Sequence, residues 1–306
     1  MKGMQLALSA LGLCSFSALA ESMLKDGAGR EWLSNKPPST VASSFLAGDE
    51  ILIELLKDTK VKLVAISSVA DDKEYSNIVA LAKEIPHRIG ANPESIAKIR
   101  PDVVFLASWN RPELQKTLSK LGIHTFTISD FNSIEDIQAN ITLMGKVLHL
   151  EEKSRQMVER MQRQMPQQNK RGTTFITFDA SGVSLGKKTI LDSLMMRLGL
   201  ENAVTETGWP KLSAESIALR RPDYIISGGE STDQKSMELL IKKTPGWSIL
   251  HALKAGNILM IPGRLLSSAS QFVSLAYAHL DQLLNESKMR QIRDPNLKSP
   301  KRESLK

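Results

Sequence analysis

Two glutamates open nearly identical stretches of the chain. The stretch ESIAKIRPDVV begins at Glu94, and ESIALRRPDYI begins at Glu215. In both copies a residue that can cap a helix stands two positions before the glutamate, and an Arg-Pro pair ends the helix ahead of an apolar strand. A carboxylate in a first helical turn stabilises the helix by about 0.3–1 kcal/mol, which is one sufficient reason for each glutamate. Two equivalent exposed carboxylates would also suit docking onto a two-fold symmetric partner with a basic pocket in each half.

Several aromatic and cationic side chains fall in loops that follow or adjoin predicted strands. An indole or phenol ring can stack on a flat ligand, and a guanidinium can pair with a ligand carboxylate. Structural roles stay open for the same residues, because a tryptophan can belong to a core and an arginine can begin a solvent-exposed helix. The candidate ligand-binding residues of this kind are Tyr75, Trp109, Arg111, Trp209 and Arg264.

Direct metal binding by side chains is not expected. A zinc or manganese site would need about three histidines and a carboxylate that converge from both halves of the chain. The five histidines are His87, His124, His149, His251 and His279. Only His87 falls in a predicted loop near the strand ends, so it joins the candidate ligand-binding residues, and no metal site is predicted.

Catalytic motifs are missing from the sequence. It contains no glycine-rich phosphate loop, nucleophile elbow or paired-histidine motif, and DASGVSLG, which begins at Asp179, lacks the strand-to-helix spacing of a nucleophile. We therefore expect a binding protein that is not an enzyme and has no catalytic residues. A cofactor-modifying enzyme on the same scaffold is the alternative of a different class.

Short apolar runs alternate with helical periods from Val41 onward, which is typical of βα units around a parallel sheet. The segment 134–165 differs, because its apolar residues recur at three- and four-residue steps without a strand signal. Unbroken, it would form a helix of about 48 Å, although Gly145 allows a break into two helices. The pattern predicts two Rossmann-like α/β lobes joined by a long rigid helix, with a ligand cleft between the lobes. The expected bounds are 38–131 for the N-terminal lobe, 132–166 for the connecting helix and 172–284 for the C-terminal lobe.

The first twenty residues, MKGMQLALSALGLCSFSALA, resemble a secretory signal peptide. The only cysteine, Cys14, lies inside it, and lipid attachment there is the less favoured alternative because Leu13 precedes it instead of a small residue. No later segment reaches the roughly 20 apolar residues of a membrane span. An exported chain of this length without disulfides is held together by core burial, which favours the periplasm.

The net charge of +7 is unevenly distributed. The segment 285–306 carries a net +4 and the leader +1, so the remaining body has only +2. A nucleic-acid partner is not expected, because that would require a basic face on the folded body. The segment 285–306 has two prolines and few apolar residues, which predicts a disordered basic tail.

The paired motifs and the helical segment between them resemble the periplasmic substrate-binding proteins of ABC importers for vitamin B12, ferric siderophores and haem. The resemblance rests on RIGANPESIAKIRPDVVFLASWNRPEL (88–114) and SAESIALRRPDYIISGG (213–229), and it extends over about 41–284. It implies that Glu94 and Glu215 dock on arginines of a dimeric permease that carries ATPase subunits. It also implies a monomer without a resident cofactor, whose ligand is a metal chelate, namely a corrinoid or a ferric siderophore. Haem-binding relatives have a tyrosine near the position of His87, so a haem receptor is the alternative, with histidine as a departure from the pattern.

Overall fold

The computed structural model describes residues 24–32, 36–90, 92–228 and 234–293. The predicted signal peptide, Cys14 and residues 294–306 of the predicted tail lie outside them. Over the described ranges, every helix is too short or too polar to cross a membrane.

A short antiparallel hairpin and a five-stranded parallel sheet form the N-terminal lobe, with sheet order β5-β4-β3-β6-β7. The strands are β1 (Leu24–Lys25), β2 (Glu31–Trp32), β3 (Thr40–Ser43), β4 (Lys62–Ser67), β5 (His87–Ile89), β6 (Val103–Ala107) and β7 (His124–Ile128). The helices are α1 (Leu46–Leu55), the 3-10 helix Ser68–Asp71, α2 (Val79–Ala82), α3 (Pro93–Ile99) and α4 (Pro112–Lys120).

The hairpin covers one edge of this sheet. The Gly27 amide donates to the Thr127 carbonyl oxygen (2.7 Å), and the Thr127 amide donates to the Asp26 carboxylate (3.2 Å). A β-carbon on Gly27 would lie 2.5 Å from the Ser129 β-carbon, so only glycine permits this approach. The free edge of β7 is thereby shielded from pairing with another chain. Two-residue strands carry no periodicity, which is why the sequence did not predict the hairpin.

Two helices, α5 (Ile134–Val147) and α6 (Glu151–Gln164), connect the lobes. They lie side by side and antiparallel, because Gly145 abuts Ser154 and the Gln162 amide nitrogen donates to the Gln138 side-chain oxygen (3.3 Å). Each is about 21 Å long, so the unbroken helix of about 48 Å is not formed. A β-carbon on Gly145 would lie 2.2 Å from the Ser154 hydroxyl oxygen, so Gly145 serves the contact between the helices. The break itself lies at His149, which has a positive φ of 56°.

The C-terminal lobe is built on a four-stranded parallel sheet in the order β11-β10-β8-β9. Its strands are β8 (Thr173–Thr177), β9 (Leu200–Asn202), β10 (Tyr224–Gly228) and β11 (Ile258–Ile261). Its helices are α7 (Ile190–Arg197), α8 (Ala214–Arg220), α9 (Gln234–Lys243), α10 (His251–Lys254), α11 (Gly263–Leu266) and α12 (Val273–Arg293).

The last helix is longer than expected. Residues 285–293 form the end of α12, where the sequence predicted a disordered tail. Ser287 is buried and its hydroxyl contacts the Asn257 side-chain oxygen (3.3 Å), so these turns pack on the lobe. No proline interrupts the helix before Pro295, and the charged side chains point away from the packed face.

One apolar core joins the two lobes. Along β6, Val103 and Phe105 enter this shared core, whereas Val104 and Leu106 face the outer helices, as expected for alternating strand residues. Phe175 of β8 enters it from the other lobe. The buried faces of α5, α6 and α12 complete it. The predicted two-lobed α/β fold is confirmed, and the lobes are fused by close-packed side chains instead of being linked by a flexible hinge.

Candidate functional site

A cleft lies between the carboxyl ends of the two sheets. All strands within each sheet are parallel, so their carboxyl ends share one edge. The two edges face each other, because Asn77 after β4 donates its side-chain amide to the Arg264 carbonyl oxygen after β11 (3.1 Å). At the other end of the edges, the Ile134 amide donates to the Ser193 hydroxyl (3.2 Å). These two bridges bound the cleft.

Three aromatic rings form the N-terminal wall of the cleft. The ring centroids of Phe45 and Trp109 are 6.0 Å apart, those of Phe45 and Phe131 5.8 Å, and those of Trp109 and Phe131 4.7 Å. Phe45 is buried, whereas Trp109 is 63% exposed. Trp109 therefore does not belong to the lobe core. Its indole is supported by Phe45 and Phe131 and leaves the rest of its surface open for stacking.

The loop that carries Trp109 is held by the side chain of Asn110. Its side-chain oxygen accepts hydrogen bonds from the Ala107 amide (2.7 Å) and the Ser44 hydroxyl (3.1 Å). Arg111 follows as the residue that precedes the first turn of α4, and it is exposed. Its guanidinium has no hydrogen bond or ion pair with any other described residue. An open ring and an open cation thus lie two residues apart at the cleft.

The C-terminal wall is a pair of loops joined through their backbones. The segment 182–187 follows β8 and pairs with 206–212, for example through the Gly186 amide and the Gly208 carbonyl oxygen (2.8 Å). A β-carbon on Gly186 would lie 2.1 Å from the Glu206 carbonyl oxygen, so glycine is required there. Trp209 lies on the second segment and is 74% exposed. It is therefore carried to the carboxyl side of this sheet.

Tyr75 and Arg264 lie at the end of the cleft where the loop after β4 meets the segment after β11. Tyr75 is 44% exposed in the loop after β4. This loop touches the other lobe, because a β-carbon on Gly263 would lie 3.0 Å from the Glu74 carbonyl oxygen. Arg264 is half-buried in α11, and its carbonyl oxygen accepts the bond from Asn77.

His87 does not lie in a loop, and that prediction was wrong. It is the first residue of β5 and pairs in register with Ala65, in the middle of β4. The edge strand is stabilised by Arg88, whose guanidinium forms an ion pair with Asp71 (2.7 Å). The structure thus separates His87 from the loops at the strand ends that hold the aromatic cluster.

A buried glutamate that the sequence analysis missed joins the lobes near the cleft. Glu50 of α1 is 1% exposed, and one of its carboxylate oxygens accepts from both the amide and the side-chain nitrogen of Asn77 (3.0 Å each). The other accepts from the Ser270 hydroxyl of the C-terminal lobe (2.5 Å). Burial raises the pKa of Glu50, against the opposing hydrogen bonds from Ser270 and Asn77. Two adjacent acids within the otherwise apolar AGDEILI (47–53) were the available signal.

The other acid of that pair lies under the N-terminal wall. Asp49 is fully buried and accepts from the amide (3.1 Å) and hydroxyl (2.5 Å) of Ser67, while its second oxygen has no partner. Burial raises the pKa of Asp49 well above its usual value, although the hydrogen bonds from Ser67 oppose the shift, as does the nearby Ser43 hydroxyl. Since Ser43 and Ser67 end β3 and β4, this carboxyl lies directly behind the cleft edge.

The two repeated glutamates occupy equivalent positions. Glu94 is the second residue of α3 and Glu215 the second residue of α8. The predicted caps are confirmed, since Asn92 accepts from the Glu94 amide (2.9 Å) and Ser213 from the Ser216 amide (3.1 Å). Both glutamates are exposed, and neither carboxylate is bonded to another described residue. Each lobe thus presents one free carboxylate on a short capped helix.

The aspartate of the repeat holds the first sheet strand of each lobe. Asp102 accepts from the amides of Ser39 (2.8 Å) and Thr40 (2.9 Å). Asp223 accepts from the amide (2.7 Å) and hydroxyl (3.2 Å) of Thr174. Burial opposes ionisation of Asp102, but the bonds from Thr40 and Ser39 outweigh it and lower its pKa. The shared aspartate therefore has a structural role.

Two further features bear on binding, namely the metal-ligating side chains and a cavity beside the hairpin. Over the described ranges, no group of three or more His, Cys, Asp or Glu could hold a metal ion. A cavity of about 840 Å³ lies beside the hairpin and is lined by Trp32, Asp102 and His124 among others. It lies at the amino ends of β6 and β7, on the side of the sheet away from the cleft, so it does not belong to the candidate site.

Two proteins of known sequence are similar to this chain over most of its length. A substrate-binding lipoprotein of an ABC transporter from Bacillus subtilis is 22% identical over 246 residues, which cover 76% of this chain and 75% of the relative. A vitamin B12-binding protein from Yersinia pestis is 28% identical over 209 residues, which cover 63% of this chain and 67% of the relative.

Solved structures show the same fold. A possible iron-binding, periplasmic solute-binding protein from Staphylococcus epidermidis superposes with a TM-score of 0.68 at 22% identity, covering 81% of this chain and 99% of that protein. The periplasmic vitamin B12-binding protein of Vibrio cholerae superposes with a TM-score of 0.60 at 16% identity, covering 82% and 98%. The sequence profile of the periplasmic binding protein family matches residues 41–265, from β3 to α11. Since this match includes both sheets and the helices between them, the chain belongs to the periplasmic binding protein family.

Proposed function

We propose that this protein is the substrate-binding component of an ABC importer, which captures a metal chelate in the periplasm and delivers it to an inner-membrane permease. The observation that carries the proposal is the pair of free carboxylates, Glu94 and Glu215, on equivalent capped helices of two fused lobes. A dimeric permease with ATPase subunits presents two equivalent surfaces, and one carboxylate for each is the arrangement that such a partner requires.

The cleft favours a large, flat or aromatic-rich ligand that carries negative charge. Trp109 offers an open indole and Arg111 an open guanidinium on the N-terminal wall, and Trp209 offers a second indole on the opposite lobe. A ferric siderophore or a corrinoid has these properties and brings its own metal. Such a ligand needs no cluster of metal-ligating side chains from the protein, and the described residues contain none.

Capture and delivery require little movement in this mechanism. The shared core and the Glu50 network resist a wide rotation of one lobe against the other. The chelate enters the cleft, and the loaded monomer docks through Glu94 and Glu215. Ligand binding and docking use different surfaces, so substitutions can separate them.

A thermal-shift panel tests the ligand. The panel contains cobalamin, cobinamide, haem and several ferric siderophores, and a ligand present at about 100 times its Kd stabilises the protein by about 2.7 kcal/mol. Trp109→Ala and Arg111→Ala are expected to weaken the response to the true ligand. Recovery of chemically unchanged ligand distinguishes binding from the alternative, conversion by a cofactor-modifying enzyme. A panel without any response would contradict capture of a metal chelate.

Haem is the second candidate, and the observation that favours it is the exposed phenol of Tyr75 at one end of the cleft. A phenolate can be an axial haem ligand, as can a histidine. If haem stabilises the protein, Tyr75→Phe is expected to shift the haem absorption spectrum through loss of the axial ligand, whereas His87→Ala, in a residue separated from the cleft loops, should leave the spectrum unchanged.

Uptake by cells tests docking. Glu94→Ala combined with Glu215→Ala is expected to abolish uptake while leaving ligand affinity intact. Glu113→Ala is the matched control, because Glu113 is also an exposed glutamate in a first helical turn, on the neighbouring α4. Unimpaired uptake by the double variant would overturn the docking role.

A further inference from the structure

The two docking helices differ at one exposed position. Glu94 is followed one turn later by Lys98, whereas Glu215 is followed one turn later by Leu219. Residues four apart lie on the same face of a helix, so each glutamate shares its face with that neighbour. Leu219 is 71% exposed, and Lys98 is also exposed. A single exposed leucine is ordinary on a protein surface, so Leu219 is informative only because it shares a helix face with the free carboxylate of Glu215.

The charges on the two faces differ accordingly. Lys98 is placed to attract Glu94 in the favourable glutamate-to-lysine order, and it would repel a basic pocket on a partner. The C-terminal lobe has no cation at that position. The neighbouring Arg220 is turned inward, where its guanidinium bonds Glu206 (2.6 Å) and the Ala203 carbonyl oxygen (2.8 Å). Arg220 is therefore not directed at Glu215.

We propose that Glu215 and Leu219 form the dominant docking surface, and that they fit a basic partner pocket with an apolar rim. This inference rests on the proposed function, because the partner is the permease. On docking, Leu219 would be removed from water, whereas Lys98 would remain solvated and would weaken the contact of Glu94. A two-fold symmetric permease would thus be bound asymmetrically, with the C-terminal lobe contributing more of the affinity.

Exchange of the two residues provides the test. The predicted mature chain has no cysteine, so Lys146→Cys on the exposed side of α5 gives a single labelling site. The labelled protein is titrated with right-side-out inner-membrane vesicles from cells that take up the ligand. Leu219→Lys is expected to weaken binding about tenfold, since burial of a leucine is lost and a like charge is added. Lys98→Leu is expected to strengthen binding several-fold.

Substitution of each glutamate then shows which lobe contributes more to vesicle binding. In the natural sequence, Glu215→Ala is expected to weaken vesicle binding more than Glu94→Ala does. In the exchanged variant, Lys98→Leu with Leu219→Lys, this order is expected to reverse. Because both exchanged positions are exposed, the unfolding midpoint should not change, which serves as the folding control.

Three outcomes would overturn the inference. Equal effects of the two glutamate substitutions in both backgrounds would show that the lobes dock equivalently. If Leu219→Lys left vesicle binding unchanged but altered sedimentation, the surface would instead bind a second copy of the chain. If neither glutamate substitution affected vesicle binding, the proposed docking function itself would fail, which is a separate result.

Discussion

The two lobes share a helix and strand plan but differ in the walls that they present to the cleft. In both, a capped helix carries the repeated glutamate as its second residue, ends at an arginine with positive φ, and leads to an aspartate that binds the first sheet strand. The N-terminal wall is a cluster of aromatic rings, whereas the C-terminal wall is a pair of backbone-bonded loops. What is repeated builds the scaffold and presents one carboxylate from each lobe, and what differs is the wall that each lobe offers to the proposed ligand.

The first helix of each lobe shows a second difference. Asp49 in α1 and Asp192 in α7 are both buried in a first turn. Asp192 lies 3.6 Å from the Lys187 ammonium, whereas Asp49 is bonded by Ser67 and forms no ion pair with another described residue. Only α1 adds a second buried acid, Glu50, which reaches the other lobe. The N-terminal lobe therefore holds the buried acid that links the lobes, and burial raises the pKa of both Asp49 and Glu50.

Removal of the Glu50 carboxylate, which joins the two lobes, should cause the largest loss of stability. Glu50→Ala leaves the buried donors of Ser270 and Asn77 without an acceptor, so we expect the free energy of unfolding to fall by about 3–5 kcal/mol. Urea denaturation measures this loss. Glu50→Gln keeps the shape and one acceptor oxygen and should lose less. A loss below about 1 kcal/mol for Glu50→Ala would show that the network does not hold the lobes together.

Substitution of the two strand-binding aspartates should lower the free energy of unfolding by different amounts. Asp223→Ala is expected to cost about 2–3 kcal/mol and Asp102→Ala about 1–2 kcal/mol, because each removes acceptors from backbone amides. The first cost is larger because Thr174 is buried, whereas Ser39 is exposed and its amide can turn to water. Asparagine at either position retains one acceptor and should recover part of the loss. Equal costs in urea denaturation would contradict this ranking.

The pH dependence of stability should separate Asp49 from Asp192. The pKa of Asp49 is raised above its ordinary value of 3.8 by burial, so the folded state binds the proton more tightly than the unfolded state. Stability from this group is complete below pH 3.8 and is lost as the pH rises toward the raised pKa. Asp49→Asn removes the loss, so its unfolding free energy relative to the natural protein should rise by up to about 1.4 kcal/mol per pH unit in that window.

Asp192→Asn is the control for that measurement. It removes a carboxylate that faces Lys187, so it should lower stability. The charged groups that act on Asp49 are Glu50 beside it and Arg88 on β5. A difference between Asp49→Asn and the natural protein that does not change with pH would contradict the raised pKa.

The sequence predicted the elements with a clear period and missed those without one. The apolar run of β4 and the proline that begins α4 are local signals of this kind, because they can be read from a few neighbouring residues. The two-residue strands of the hairpin and the three-residue β5 and β9 have no such signal. The position of His87 was wrong because a three-residue edge strand depends on pairing with β4.

The candidate site was predictable in part. The loops at the carboxyl ends of strands could be located, and the structure places Trp109 and Arg111 in the loop after β6, while their role in ligand binding stays a prediction. Phe131 and Ser270 could not be assigned, since their roles depend on contacts with Trp109 and Glu50 that are distant along the chain. The antiparallel packing of α5 and α6 likewise depends on the approach of Gly145 to Ser154, which periodicity cannot show.

The smallest expected change in stability concerns the arginines that end α3 and α8. Arg100 and Arg221 have φ values of 52° and 45°, a conformation that costs a side-chain-bearing residue about 1–2 kcal/mol. Arg100→Gly should relieve this cost but add freedom to the unfolded chain, for a net gain of about 0.5–1 kcal/mol in urea denaturation. Arg221→Gly should gain less, because Arg221 takes part in a further interaction. Alanine keeps the β-carbon and serves as the control, so an equal gain for Arg100→Ala would show that the benefit comes from loss of the guanidinium and not from the backbone.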